Sequence, residues 1–130
     1  MTKKVLVVDD DPDVRLFNTT VIEECGYSAL EAENGEDALT KVKQERPDLV
    51  LLDVLMPRQS GIRFYRELKT DPALKQIRVV LLSGIAKKTF LRSQKALTEF
   101  GGAAVPEPEH YLEKPVEPET LARTLKQILG

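Results

Sequence analysis

The sequence predicts an α/β fold in which a five-stranded parallel sheet carries helices on both faces. Two observations support that prediction. Val5-Leu6-Val7-Val8, Leu49-Val50-Leu51-Leu52 and Val79-Val80-Leu81-Leu82 are three short apolar runs of one kind, each the length of a strand buried on both sides. The stretches between them have helical spacing, and alternating strand and helix implies a parallel sheet because each crossover lays a helix across a face.

The elements follow in order along the chain. After the first strand, a helix is expected to begin near Pro12, whose fixed φ and missing N–H suit a first turn. It should turn Val14, Phe17, Val21 and Ile22 inward until Gly26 stops it. Ser28 to Glu31 reads as a weaker strand. Asn34 is the expected N-cap of a second helix with Ala38, Leu39 and Val42 inward, ended by Pro47. Gly61 to Leu68 is expected to form a third helix. A fourth is expected to carry Phe90, Leu91, Ala96 and Leu97 and to close at Gly101-Gly102. Val105-Pro106-Glu107-Pro108-Glu109 reads as a surface loop, with prolines keeping it extended and glutamates keeping it solvated. A short strand at Tyr111-Leu112 and a fifth helix from Pro118 complete the count. That helix sets Leu121, Leu125, Ile128 and Leu129 on one apolar stripe.

Length and composition narrow the function. With 130 residues, 42% of them hydrophobic, the chain is expected to be a single domain over residues 1–130. Nineteen Lys and Arg against 21 Asp and Glu leave a net charge of -2, which provides no excess positive charge for binding nucleic acid directly. No apolar run approaches the roughly 20 residues needed to cross a bilayer, so no membrane partner is expected. The acids at Asp9, Asp10, Asp11 and Asp13 cut short the apolar stretch after Lys3-Lys4, so secretion is not expected either. Cys25 is the single cysteine and His110 the single histidine, which rules out an internal disulfide and a Cys/His zinc site. A reducing cytoplasm suits this composition.

In an open parallel sheet, ligands bind beyond the carboxyl ends of the strands, so the residues following each apolar run are the informative ones. They are Asp9, Asp10 and Asp11, then Asp53, then Ser83 and Gly84, and finally Lys114 before Pro115. Taken singly, each has an ordinary explanation: acids at strand ends form turns or N-caps, Ser-Gly is a common turn, and lysines are usually solvated. Those explanations do not require all four to fall at successive strand ends. Carboxylates gathered there repel one another unless a hard cation neutralises them, and oxygen-only ligands favour magnesium or manganese. A lysine and a hydroxyl beside that cation would clamp the oxygens of a phosphoryl group, and one carboxylate could accept it.

Val7-Val8-Asp9-Asp10-Asp11, Leu52-Asp53-Val54-Leu55-Met56-Pro57 with Gly61, Leu82-Ser83-Gly84 and Glu113-Lys114-Pro115 resemble the motifs of the receiver domain of two-component response regulators. The resemblance covers nearly the whole chain and suggests a single-domain, chemotaxis-regulator-like member. It implies a flavodoxin-like doubly wound sheet of order 2-1-3-4-5. It also implies Asp53 as phosphoacceptor, with magnesium or manganese held by Asp9, Asp10, Asp53 and the backbone carbonyl of Leu55. Ser83 takes the place of the switch hydroxyl, Lys114 that of the lysine contacting the phosphoryl group, and Tyr111 that of the switch aromatic. The implied donor is a phosphohistidine on a sensor histidine kinase or histidine phosphotransfer protein. The implied output is a changed docking face of the fourth helix, fifth strand and fifth helix, toward an unidentified downstream protein or a homodimer formed on phosphorylation. On this reading the chain is a switch that catalyses its own phosphorylation and dephosphorylation and is not otherwise an enzyme. No effector segment is expected within the 130 residues.

Two features depart from the commonest receiver pattern. Leu55, two residues after Asp53, and Ile85, two after Ser83, are apolar where the family flanks the path of the attacking water. Neither side chain orients water, so the aspartyl phosphate is expected to be long-lived. Leu55→Asn with Ile85→Glu should speed its decay, and an unchanged decay rate of the phosphorylated protein refutes the idea. Ser83 and Lys114 are also 31 residues apart, several more than is usual, with the excess around Ala86 to Glu109. That excess is either a neutral insertion or a partner site.

Three other readings compete with this one. A phosphatase of the haloacid dehalogenase type would place its nucleophile at Asp9, but Asp13 stands where Thr or Val belongs and no cap domain fits. A calcium loop starting at Asp9 would need Gly at Val14 and Glu at Thr20. The third is a scaffold receiver that binds partners without phosphorylation, against which the intact acids, hydroxyl and lysine argue.

Overall fold

In a computed structural model that describes residues 2–54, 56, 60–84, 89, 92, 108 and 110–130, the three apolar runs lie at the centre of one parallel sheet. β1 (Lys4–Val8), β2 (Ser28–Ala32), β3 (Leu49–Asp53), β4 (Arg78–Ser83) and β5 (His110–Glu113) pair in the order β2-β1-β3-β4-β5, as expected. The described helices are α1 (Pro12–Glu24), α2 (Gly35–Glu45), α3 (Ser60–Thr70) and α4 (Pro118–Leu129). The last corresponds to the fifth helix of the sequence reading. The expected fourth helix, Leu55 and Ile85 lie outside the described residues.

Side chains alternate across the sheet, so a strand covered on both faces must be apolar throughout. Leu6, Val8, Val50, Leu52, Val79 and Leu81 pack on one side with Ala38 and Val42 of α2 and Phe64 and Leu68 of α3. Val5, Val7, Leu49, Leu51, Val80 and Leu82 pack on the other with Val21 and Ile22 of α1 and Leu121, Leu125 and Leu129 of α4. Each such side chain stabilises the fold by about 1.5–3 kcal/mol through removal from water. The register pairs Val8 with Leu52, Asp53 with Leu82 and Ser83 with Glu113, so the carboxyl ends of the central strands come level.

The helix ends have local causes. Asp11 caps α1, its Oδ1 accepting from the N–H groups of Asp13 at 2.9 Å and Val14 at 3.4 Å. At the other end Gly26 adopts φ +91° and its N–H reaches the Glu23 carbonyl at 3.0 Å, a left-handed turn that a residue with a Cβ takes only at a cost. Asn34 Oδ1 caps α2 by accepting from Asp37 N–H at 2.8 Å. The buried Lys69 of α3 donates through Nζ to the carbonyls of Ile77 at 2.7 Å and Lys75 at 3.3 Å, tying the end of the helix to the start of β4.

Two expectations are corrected. Phe17 is 43% exposed beside Leu16 at 66%, because the buried stripe of α1 runs through Asn18, Val21 and Ile22 and leaves Phe17 on its solvent edge. Pro108 is buried, against the exposure expected of that loop, and the rest of the segment, residues 105–107 and 109, lies outside the described residues. Among the described residues, no helix is long and apolar enough to cross a membrane.

Candidate functional site

The level strand ends bring four of the expected residues together. Asp9 directly follows β1, and its N–H continues the pairing with β2 by donating to the Ala32 carbonyl at 3.1 Å. Asp53 and Ser83 are the last residues of β3 and β4 rather than the first of the loops beyond, and both are buried. Lys114 follows β5 directly, its backbone N–H donating to the Ser83 carbonyl at 2.8 Å. Its Nζ stands 3.5 Å from Asp9 Oδ2 and 3.4 Å from Asp53 Oδ2.

Asp9, Asp10 and Asp53 each offer a carboxylate oxygen, and these oxygens all lie within 4.8 Å of one another. At an effective dielectric of 20, each pair repels by roughly 3 kcal/mol or more, and the single charge of Lys114 does not offset three carboxylates. Asp9 and Asp53 are buried while Asp10 is exposed, so the cluster is open on one side. This oxygen-only donor set with room for solvent ligands fits a hard divalent cation. The Leu55 carbonyl lies outside the described residues. Asp11, grouped with Asp9 and Asp10 in the sequence, is spoken for as the cap of α1.

Tyr111 is half-buried against the α2–α3 side of the core, and its hydroxyl is hydrogen-bonded with the Ser83 side chain. Burial holds its phenol above the usual tyrosine value. The Ser83 bond pulls the other way, and the negative charges of Glu113 and Asp53 add to the rise.

Two residues at the site have roles that the residue pattern alone does not explain, although Gly61 stood among the motifs of the receiver resemblance. Gly61 lets the start of α3 lie against the end of β3: a Cβ there would stand 2.7 Å from the Asp53 carbonyl oxygen and 2.8 Å from that of Val54. Arg15 of α1 donates through a terminal guanidinium nitrogen to the Asp9 carbonyl at 2.7 Å, yet in the sequence it reads as an ordinary helix arginine.

A family model described as the response regulator receiver domain matches residues 5–126. The chain belongs to the response regulator receiver domains. As a receiver, it is 34% identical over 127 residues to the protein PilH of Pseudomonas aeruginosa, covering 98% of each chain. It is 32% identical over 131 residues to the polar-differentiation response regulator DivK of Brucella anthropi, covering 100% of this chain and 98% of that one. The chemotaxis protein CheY4 of Vibrio cholerae superposes with a TM-score of 0.81 at 29% identity, over 99% of this chain and all of the other. Receiver domains serve two-component signalling, take phosphoryl groups from histidine kinases or phosphotransfer proteins, and generally bind Mg2+ at an acidic pocket.

Proposed function

We propose that this receiver is a Mg2+-dependent switch in which Asp53 accepts a phosphoryl group from a phosphohistidine. The observation that carries the reading is the convergence of Asp53 with the carboxylates of Asp9 and Asp10 and with Lys114 Nζ at 3.4 Å. An Asp53 carboxylate oxygen attacks phosphorus, the P–N bond to the donor histidine breaks, and the released imidazole nitrogen takes up a proton. Asp9, Asp10, Asp53 and the Leu55 carbonyl would hold Mg2+ or Mn2+, which when bound offsets charge on the phosphoryl oxygens. Lys114, already paired with Asp53, contributes a second positive charge on another side.

The phosphoryl group adds charge and acceptor oxygens within reach of Ser83. A Ser83 hydroxyl turned toward them gives up its bond with Tyr111, and the tyrosine then repacks in the space vacated. The face built from the sequence-predicted fourth helix, β5 and α4 changes shape, and that face meets a downstream protein or a second copy of the chain. On this reading residues 1–130 act as one cytoplasmic switch domain that has no catalytic task beyond its own phosphorylation and dephosphorylation.

Mass spectrometry after treatment with acetyl phosphate and Mg2+ tests the proposal. The expected result is a phosphoryl mass gain mapped to Asp53 and lost in Asp53→Asn. A gain mapped to Asp9 overturns the assignment, and no gain with either acetyl phosphate or a cognate histidine kinase favours a scaffold that acts without phosphorylation.

A further inference from the structure

Asp9 is held at every polar atom it has. Its N–H bonds to β2, its Oδ1 accepts from Asp11 N–H at 2.9 Å, its Oδ2 faces Lys114, and its carbonyl accepts from Arg15 at 2.7 Å. The last contact fixes the peptide plane between Asp9 and Asp10, and rotating that plane would swing the Cα–Cβ bond of Asp10. Asp10 itself is exposed, so packing does little to orient it. Arg15 is in turn braced: its Nε lies 3.4 Å from Glu31 Oε1 of β2, and its side chain is only 17% exposed. Lys41 of α2 adds to the brace by donating to the Glu31 carbonyl while pairing with Asp37 at 3.4 Å.

We infer that Arg15 is a positioning residue for the divalent-cation site, acting through the Asp9 carbonyl to set the direction of the Asp10 carboxylate. The inference rests on the cation-binding reading given above. Two effects of Arg15 oppose each other and make the idea testable. As a positive charge near three carboxylates, Arg15 repels a cation, so deleting the charge should tighten cation binding if electrostatics alone operated. As a brace it pre-sets the ligand geometry, so deleting it should weaken binding, by about tenfold for groups that orient metal ligands.

The experiment is Mn2+ titration followed by the electron paramagnetic resonance of the free ion, on the unphosphorylated full chain, for wild type, Arg15→Gln and Arg15→Lys. The expected result is Mn2+ binding weakened about tenfold in Arg15→Gln and partly restored in Arg15→Lys, which keeps a donor but loses the planar fork. Binding by Arg15→Gln that equals or exceeds wild type overturns the inference. If Arg15→Gln proves unfolded by circular dichroism, Arg15→Lys decides alone: weaker Mn2+ binding by a folded Lys variant supports the brace, and wild-type binding overturns it. Failure of the wild-type chain to bind Mn2+ would instead overturn the underlying reading of the acidic cluster.

Discussion

Replacing Gly61 with alanine adds one methyl group at the tightest point beneath the candidate phosphoacceptor. The new Cβ would lie 2.7 Å from the Asp53 carbonyl oxygen, 2.8 Å from that of Val54 and 3.0 Å from Val54 Cα. All three are backbone atoms, so no rotamer change opens space. Restoring an ordinary contact of 3.4 Å requires α3 and the end of β3 to part by roughly 0.7 Å. Overpacking of this kind costs about 1–3 kcal/mol, and the better helix propensity of alanine returns about 0.5–1 kcal/mol. The net loss, centred on about 1 kcal/mol, should lower the melting temperature by roughly 3–5 °C in a chain of this size, read by circular dichroism. Because the Asp53 carbonyl is the atom struck, labelling of Asp53 by acetyl phosphate should also slow. Gly26→Ala is the comparison: nothing lies within 4 Å of its Cβ and its φ of +91° alone sets a penalty of about 1–2 kcal/mol, so it should melt lower with labelling unchanged. An unchanged or raised melting temperature for Gly61→Ala refutes the reasoning.

Lys69→Met should leave the Ile77 and Lys75 carbonyls without the buried ammonium and lower stability by about 1–3 kcal/mol, measured as a shift in urea midpoint. Asp11→Ala should cost about 1 kcal/mol through loss of the α1 cap while leaving Mn2+ binding unchanged, which separates it from Asp9 and Asp10. Tyr111 has a folded-state pKa raised above its ordinary value of 10.0, so above that pH the unfolded chain loses its phenolic proton while the folded chain keeps it. Its contribution is therefore complete below about pH 10 and is lost as pH rises through the folded value. Tyr111→Phe should abolish that part of the alkaline loss, measured as the difference between the two proteins' urea midpoints from pH 8 to pH 11.

The parallel sheet was legible because burial on two faces forces continuous apolar runs, and β1, β3 and β4 each carry one; the strand order came from the receiver resemblance, since such runs do not say which strands are neighbours. The acids, hydroxyl and lysine were legible because the carboxyl ends of such strands are where ligands bind. Three things were not. Phe17 has the same local spacing as a buried residue, and only the docking of α1 through Asn18 turns it outward. Asp11 is chemically identical to Asp9 and Asp10, and only the bonds it accepts from the Asp13 and Val14 N–H groups separate the cap from the carboxylates of the cluster. Arg15 and Lys69 act through the backbone carbonyls of Asp9 and Ile77, and a carbonyl leaves no trace in residue identity.

The burial of the strands gives the sheet an uneven stiffness. β3, which ends in Asp53, is buried at every residue, whereas β5 is half-buried at His110, Tyr111 and Leu112 and exposed at Glu113. β5 is also an edge strand, paired with β4 alone. Tyr111 and Lys114, two of the groups that would respond to a charge on Asp53, thus sit on or beside a partly exposed edge strand, and the group that would receive the charge sits on a fully buried central one. A load applied at Asp53 deforms the edge before it deforms the centre. The β2 margin, also an edge, is tied to the acidic cluster by other means, through the Asp9 N–H on Ala32 and through Arg15 on Glu31.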